Sequence, residues 1–359
     1  MLGVTFPGDR EIALLNFSDP TPGVGEVVLE MKASGICGSD LKYYRAPKDI
    51  GAFRALFKGL PTVAMRDEGP RIMGHEPCGV VAAIGPGVNK YQAKIGQRVM
   101  VHHYSGCTVC EHCRSGWVAD CEAPDAVSFG WTAHGGHARY MKVPASTLVP
   151  LPDELSYEAG AAISCGSGTS YSALRRMNPN GSHTVVILGQ GPVGLSGTQW
   201  ATAMGCRVIA VDVNNERLNL AKRIGADAVL NPNEVSIKEA VAELTGGRGA
   251  DFSLECSGQS SAILDAIGCV KRWGTVALVG ISPGTTPVNV AADVVVRQIN
   301  VFGSRTFSLS LMEDCARFAV ERRVAIDSIF TDRWALEQAA DAYALLDRQS
   351  SGKGVFLVS

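Results

Sequence analysis

The amino-acid sequence predicts an α/β protein: a doubly wound parallel sheet accompanied by a β-rich region. Three observations carry this. Between about residues 166 and 302, short apolar runs alternate with helical stretches, the rhythm of parallel strands joined by crossover helices. Up to about residue 150, short apolar runs are broken by Gly and Pro, which reads as β-rich. The length of 359 residues fits two to three domains at about 150 residues each.

The elements follow in chain order. Runs 27–31, 79–84 and 98–102 read as strands of the first region. Residues 184–188 form a continuous β-branched run, suited to a strand buried on both faces. A Gly-rich turn and a helical stretch to about Met204 come next. Strands are expected at 208–211, 228–230, 251–254 and 276–279, alternating with helices at 215–224, 236–244 and 261–270. Beyond about 303 the chain holds amphipathic helices at 311–321 and 336–347 and a last strand at 354–358. This tail is too short for a large core of its own and is expected to pack back on the first region.

Composition narrows the function. Apolar residues make up 46% and charged residues 19%, so the bulk of the chain is globular. With 33 basic and 35 acidic residues the net charge is −2, which lacks the basic footprint of a nucleic-acid binder. No like-charge run forms an interaction tail. The N-terminus has no basic segment followed by an apolar one, and no apolar stretch approaches about 18 residues. A cytoplasmic protein, off the membrane, is therefore expected. There thiols stay reduced, so the 11 cysteines read first as metal ligands or catalytic groups.

Three patterns carry chemistry. Cys107, Cys110, Cys113 and Cys121 give C-x2-C-x2-C-x7-C. Four thiolates close a tetrahedral zinc shell with no open position, the form of a structural site, and the mostly polar residues between them would need the metal to hold them. Cys37, His75 and Cys165 come from separated segments and would leave a zinc ion one open position. From spacing alone that trio competes with buried, hydrogen-bonded residues of no chemical role. Third, Gly189-Gln190-Gly191-Pro192-Val193-Gly194 follows a strand and opens a helix, the context in which G-x-G-x-x-G binds a dinucleotide. Asp212 closes the next strand, where its carboxylate would accept from an adenosine ribose and repel a 2′-phosphate. NAD is favoured over NADP, with nearby Arg217 keeping NADP open.

Together these residues resemble the zinc-dependent medium-chain alcohol dehydrogenase family. The resemblance rests on Gly35-Ile36-Cys37-Gly38-Ser39-Asp40, Gly74-His75-Glu76, the four-cysteine loop, Cys165, the 189–194 turn and Asp212, in family order over nearly the whole chain. It implies a GroES-like β-barrel catalytic domain from 1–165 and 303–359, bearing the structural zinc lobe, and a Rossmann domain from 166–302. It also implies two zinc ions per chain. Cys37, His75 and Cys165 would hold the catalytic one as a Lewis acid on the alcohol oxygen. Thr169 and Val193 would lie near the nicotinamide, and Ser39 would carry the alcohol proton toward the ribose. Asp40 would orient His75. Glu76 would either approach the zinc during ligand exchange or pair with a neighbouring cation. The implied reaction is NAD-linked oxidation of a primary or secondary alcohol or a polyol by a homodimer or homotetramer.

Three departures stand out. Lys42 occupies the position of a common relay histidine. Gly38 replaces a basic residue that some members use against pyrophosphate, leaving that anion to backbone N–H groups. The stretch 43–73 looks long, and reads as a surface helix or as a cap or subunit contact. Phe129, Trp131 and this stretch are the candidates for lining the substrate pocket. Cys78, Cys206, Cys256, Cys269 and Cys315 read as packing, and His102, His103, His134, His137 and His183 show no ligand spacing. Two other readings stay open: a zinc-independent quinone or enone reductase of the same superfamily, and a non-catalytic protein that binds zinc and nucleotide.

Overall fold

A computed structural model describes residues 1–48, 69–282, 284–348 and 352–358. Its first large sheet has six strands in the order Ala228–Leu230, Arg207–Val211, Thr184–Leu188, Ala250–Glu255, Val270–Leu278, Asn300–Gly303. Every neighbouring pair is parallel. The chain runs outward from Thr184–Leu188 to one edge, returns, and runs to the other. The strand order therefore reverses between Thr184–Leu188 and Ala250–Glu255, and a crevice opens at their carboxyl ends. Thr184–Leu188 can sit centrally because all its residues but the first are buried.

Two features of this half escape the sequence pattern. Asn300–Gly303 is a short, largely exposed edge strand with no apolar alternation to announce it. The helix Gly166–Met177 begins Gly-Ser-Gly-Thr-Ser, a poor helix sequence. Tertiary packing overrides propensity here, because small residues let it lie close against Pro192–Ala203. Ser167 Oγ is 2.7 Å from Ser196 Oγ, and the Trp200 indole donates to the Ser167 carbonyl at 2.9 Å. The helix stops at Asn178, whose φ of 52° is left-handed.

The second large sheet has seven strands. Phe330–Trp334, Lys353–Leu357, Glu26–Ile36, Glu76–Ile84, Arg98–Val101 and Leu148–Pro150 lie in that order, and Tyr140–Pro144 joins Glu26–Ile36 as well. The eleven residues of Glu26–Ile36 are long enough for three partners. Its first half pairs with Tyr140–Pro144, its second half with Lys353–Leu357, and its other edge with Glu76–Ile84. Segments from both ends of the sequence thus meet in one sheet. The region expected as one helix at 336–347 is a 3-10 turn, Leu336–Gln338, leading into the helix Ala339–Asp347. Among the described residues no helix is long and apolar enough to cross a membrane.

Candidate metal centre and nucleotide cleft

Three segments converge on one cluster. Cys37 follows Glu26–Ile36 and caps the short helix Gly38–Tyr44. The Cys37 N–H donates to Asp40 Oδ2 at 2.9 Å, which fixes the turn. His75 precedes Glu76–Ile84, after Gly74, whose φ of 91° and contact with the His137 ring exclude a side chain. Cys165 precedes the helix Gly166–Met177. One ligand atom each from Cys37, His75, Cys165 and Glu76 lies within 4.8 Å of all the others.

The spacing of the sulfurs suits a shared metal ion better than a disulfide. Cys37 Sγ and Cys165 Sγ are 4.0 Å apart. A disulfide would bring them to about 2.05 Å. Two thiolates on one tetrahedral zinc, each at about 2.3 Å, stand about 3.8 Å apart. His75 donates Nδ1–H to Asp40 Oδ1 at 2.8 Å, so its Nε2 lone pair is the free one, and Ser39 Oγ lies 3.1 Å from it. The hydrogen bond with Cys165 and the His75 imidazole hold the Cys37 thiol well below its ordinary range. The donor set, one imidazole and two sulfurs with one thiol already inclined to ionise, fits zinc.

Glu76 has a second role in the geometry. Its carboxylate bonds Lys353 on the last strand, and both side chains are buried. Lys353 also donates to the Ile36 carbonyl at 3.4 Å, while Gly166 N–H donates to Glu76 Oε1 at 3.4 Å. Burial pushes the Glu76 carboxyl up to about 7, with Lys353 opposing. Lys353 carried no sequence signal, because its partner lies far away in the chain. Lys42 extends from Gly38–Tyr44 and donates to the Ile281 carbonyl, across the crevice.

An aromatic wall surrounds His75. The Trp131 ring centroid is 4.5 Å from that of His75 and the His103 ring 5.1 Å. Tyr43 stacks on Trp131 at 5.8 Å and Tyr104 packs on His103 at 4.2 Å. His103 shows no ligand spacing in the sequence, and only the fold brings it to His75. Burial keeps its imidazole well below the ordinary range, hence neutral. Phe129 turns elsewhere, to a separate cavity of about 510 Å³ shared with Phe17, Ile72 and His134. Of the 43–73 stretch, residues 49–68 lie outside the described residues.

The nucleotide turn sits at the crevice. Gly189 has φ of 85°, and a Cβ on Gly194 would stand 1.8 Å from the Gly189 carbonyl oxygen. At Gly191 the space is open, with no atom within 4 Å of where a Cβ would be. Gly191 and Pro192 begin the helix Pro192–Ala203, so its unpaired N–H groups face that space. Val193 lies beside Gly166, where a Cβ on that glycine would stand 3.7 Å from it, which links this turn to the helix behind Cys165. Thr169 lies one turn into that helix, its N–H bonded to the Cys165 carbonyl at 2.9 Å. Asp212 accepts from Gln190 N–H at 2.6 Å and from Asn214 N–H at 2.8 Å. Arg217 is in the first turn of Asn215–Arg223, its N–H on Asn214 Oδ1 at 3.2 Å.

The four-cysteine loop closes on itself. The sulfurs of Cys107, Cys110, Cys113 and Cys121 lie within 4.8 Å of one another, with Cys110 and Cys121 3.9 Å apart, again the spacing of thiolates sharing a zinc. Backbone N–H groups of Val109 and Cys110 point at Cys107 Sγ and lower its pKa to about 6. The lobe is tied down by Arg305, which bonds the Ala119 carbonyl at 2.9 Å and Asp120 at 2.6 Å. Of the other five thiols all but Cys256 are buried. His137 is a structural hub, with Nδ1 2.7 Å from Ser34 Oγ and Nε2 2.9 Å from Tyr343 OH.

Comparison with known proteins agrees with this architecture. The alcohol dehydrogenase GroES-like domain matches residues 23–153 and the zinc-binding dehydrogenase domain matches 192–321. The chain is 39% identical to the uncharacterized zinc-type alcohol dehydrogenase-like protein YphC of Escherichia coli (strain K12), over 99% of this chain and 98% of that protein. It is 34% identical to the sorbitol dehydrogenase of Bacillus subtilis (strain 168), over 93% of this chain and 90% of that one. Galactitol-1-phosphate dehydrogenase from Escherichia coli superposes with a TM-score of 0.86 at 25% identity, covering 99% of this chain and 100% of the other. The chain therefore belongs to the zinc-dependent medium-chain alcohol dehydrogenase family. It is an oxidoreductase with a GroES-like and a Rossmann half.

Proposed function

We propose that the protein is an NAD-linked dehydrogenase that oxidises a primary or secondary alcohol or a polyol to the aldehyde or ketone in the cytoplasm. The observation that carries this is the convergence of Cys37, His75 and Cys165 within 4.8 Å, with Gly166, the residue after Cys165, beside Val193 of the glycine turn. A zinc ion held by those three residues would supply Lewis-acid polarisation of the alcohol oxygen, and NAD would supply the hydride acceptor. The remaining work falls to the chain. Asp40 holds Nδ1–H of His75 and so keeps Nε2 turned to the cluster. Ser39 offers a hydroxyl beside it to receive the alcohol proton. The Lys42 ammonium has donors and no acceptor, so while charged it cannot take that proton onward; it ties the Ser39 helix to the Ile281 loop.

On the nucleotide side, the helix start at Gly191 and Pro192 suits a pyrophosphate, Asp212 a ribose, and Val193 and Thr169 the nicotinamide end. Arg217 lies beside Asp212, where it would meet a 2′-phosphate. Cys107, Cys110, Cys113 and Cys121 would hold a second, structural zinc. The catalytic domain is read as 1–165 with 303–359, and the Rossmann domain as 166–302. The edge strand Asn300–Gly303, with exposed Val301 and the nearby exposed Val290, Val295 and Val296, supports self-association into a homodimer or homotetramer.

The test is a spectrophotometric screen of alcohols, polyols and aldehydes with NAD and NADP on protein of measured zinc content. NAD reduction that a chelator abolishes is the expected result. Turnover that survives Cys37→Ala would favour the zinc-independent reductase, and no turnover by fully metallated protein would favour a non-catalytic binder.

A further inference from the structure

The Trp131 indole carries a donor that nothing accepts. Its Nε1 is buried and has no hydrogen-bond partner. A buried donor left unmet costs about 1–3 kcal/mol, so its persistence points to a partner that arrives with a ligand. The indole lies in the wall of the metal cluster, its ring centroid 4.5 Å from that of His75. It is clamped there by the stacked ring of Tyr43.

The neighbouring ring supplies the complementary group. His103 meets Trp131 edge to face at 5.9 Å and His75 at 5.1 Å. Its Nδ1 is 2.9 Å from the Ser164 carbonyl oxygen. A carbonyl only accepts, so Nδ1 carries the proton and Nε2 of the neutral ring is a bare acceptor. A donor and an acceptor on adjoining rings match one functional group that both accepts and donates, a hydroxyl.

We propose that Trp131 and His103 read a second hydroxyl, on the carbon next to the one oxidised. The substrate is then a vicinal diol or polyol, not a simple aliphatic alcohol. This rests on the dehydrogenase reading above and specifies its substrate class. The Trp131 N–H gives the hydroxyl oxygen a hydrogen bond, the hydroxyl proton goes to His103 Nε2, and the faces of Tyr43 and Tyr104 cover the carbon chain. An alcohol lacking that hydroxyl leaves both protein groups unpaired, which is how a site built for a hydroxyl rejects an analogue without one.

A matched pair tests this: 2,3-butanediol against 2-butanol, as kcat/KM with zinc-loaded enzyme. The wild type is expected to prefer the diol by roughly 10-fold or more. Trp131→Phe keeps a flat ring but no donor, and His103→Phe keeps a flat ring but no acceptor. Each is expected to reduce the diol-to-alcohol ratio by roughly 10-fold. A wild-type ratio near one, or a ratio unchanged in both variants, overturns the proposal. An NMR readout needs no turnover: the indole N–H resonance that disappears in Trp131→Phe should move downfield with 2,3-butanediol and stay put with 2-butanol. If the wild type oxidises neither compound, this resonance alone decides the subsite, and the dehydrogenase reading falls only if the full alcohol, polyol and aldehyde panel also shows no turnover. Its failure to move with the diol sinks the proposal.

Discussion

Replacing Lys353 by Met is expected to destabilise the fold by about 1–3 kcal/mol at neutral pH, because Glu76, already pushed up to about 7 by burial, must then stay buried unpaired or take up a proton. The reasoning starts from exposure: the Lys353 side chain is 1% accessible and that of Glu76 0%. No water can replace the lost ammonium. The Glu76 carboxylate would keep only the Gly166 N–H, at 3.4 Å. Met has a similar length and fills the space, so the loss reports charge and not a cavity. Removing both members should be far milder, because no uncompensated charge remains. Chemical denaturation of wild type, Lys353→Met, Glu76→Gln and the double variant gives the cycle. The double variant is expected to recover more than half of the Lys353→Met loss. A single-variant cost below about 1 kcal/mol, or a double-variant loss equal to the sum of the singles, would refute the pairing argument.

Three further outcomes follow from the geometry. Gly191→Ala should leave stability within about 0.5–1 kcal/mol of wild type, since its Cβ meets open space, yet weaken cofactor binding. Gly194→Ala should destabilise the fold itself, and calorimetry with cofactor titration separates the two. Cys110→Ser should lower the zinc count from two per chain to one by elemental analysis and unfold the lobe around Cys113 and Cys121; an unchanged count would disprove the four-thiolate site. His137, whose imidazole burial depresses to about 4, should make the fold acid-sensitive. The unfolded chain takes a proton near pH 6.5 while the folded chain refuses it, so stability is full above that and falls as pH drops toward 4, by about 3 kcal/mol in all. Denaturation curves across this range should flatten in His137→Gln, and an unaltered slope would count against the burial argument.

Much of the nucleotide half was legible in the chain because its signals are local. The run Thr184–Leu188, the turn from Gly189 to Gly194 and Asp212 follow one another within one supersecondary unit. The four-cysteine lobe is legible for the same reason, with all four thiols on one short loop. Cys37, His75 and Cys165 are different. Each alone is an ordinary core residue, and only the family resemblance singled them out. Asn300–Gly303 escaped because an exposed edge strand carries little apolar pattern. Gly166–Met177 escaped because its first turn is rich in Gly and Ser.

The sequence by itself determined the fold class, the four-cysteine grouping and the glycine turn, since periodicity, ligand spacing and glycine placement are properties of neighbouring residues. Only the tertiary structure decided the rest. It set two sulfurs 4.0 Å apart from opposite ends of the catalytic half, gave Glu76 its partner in Lys353, and turned Phe129 away while bringing His103 and Trp131 to His75. Those are relations between residues far apart in the chain. Burial creates them, and it is burial that turns an unpaired indole or a lone carboxylate into a group that must find a partner.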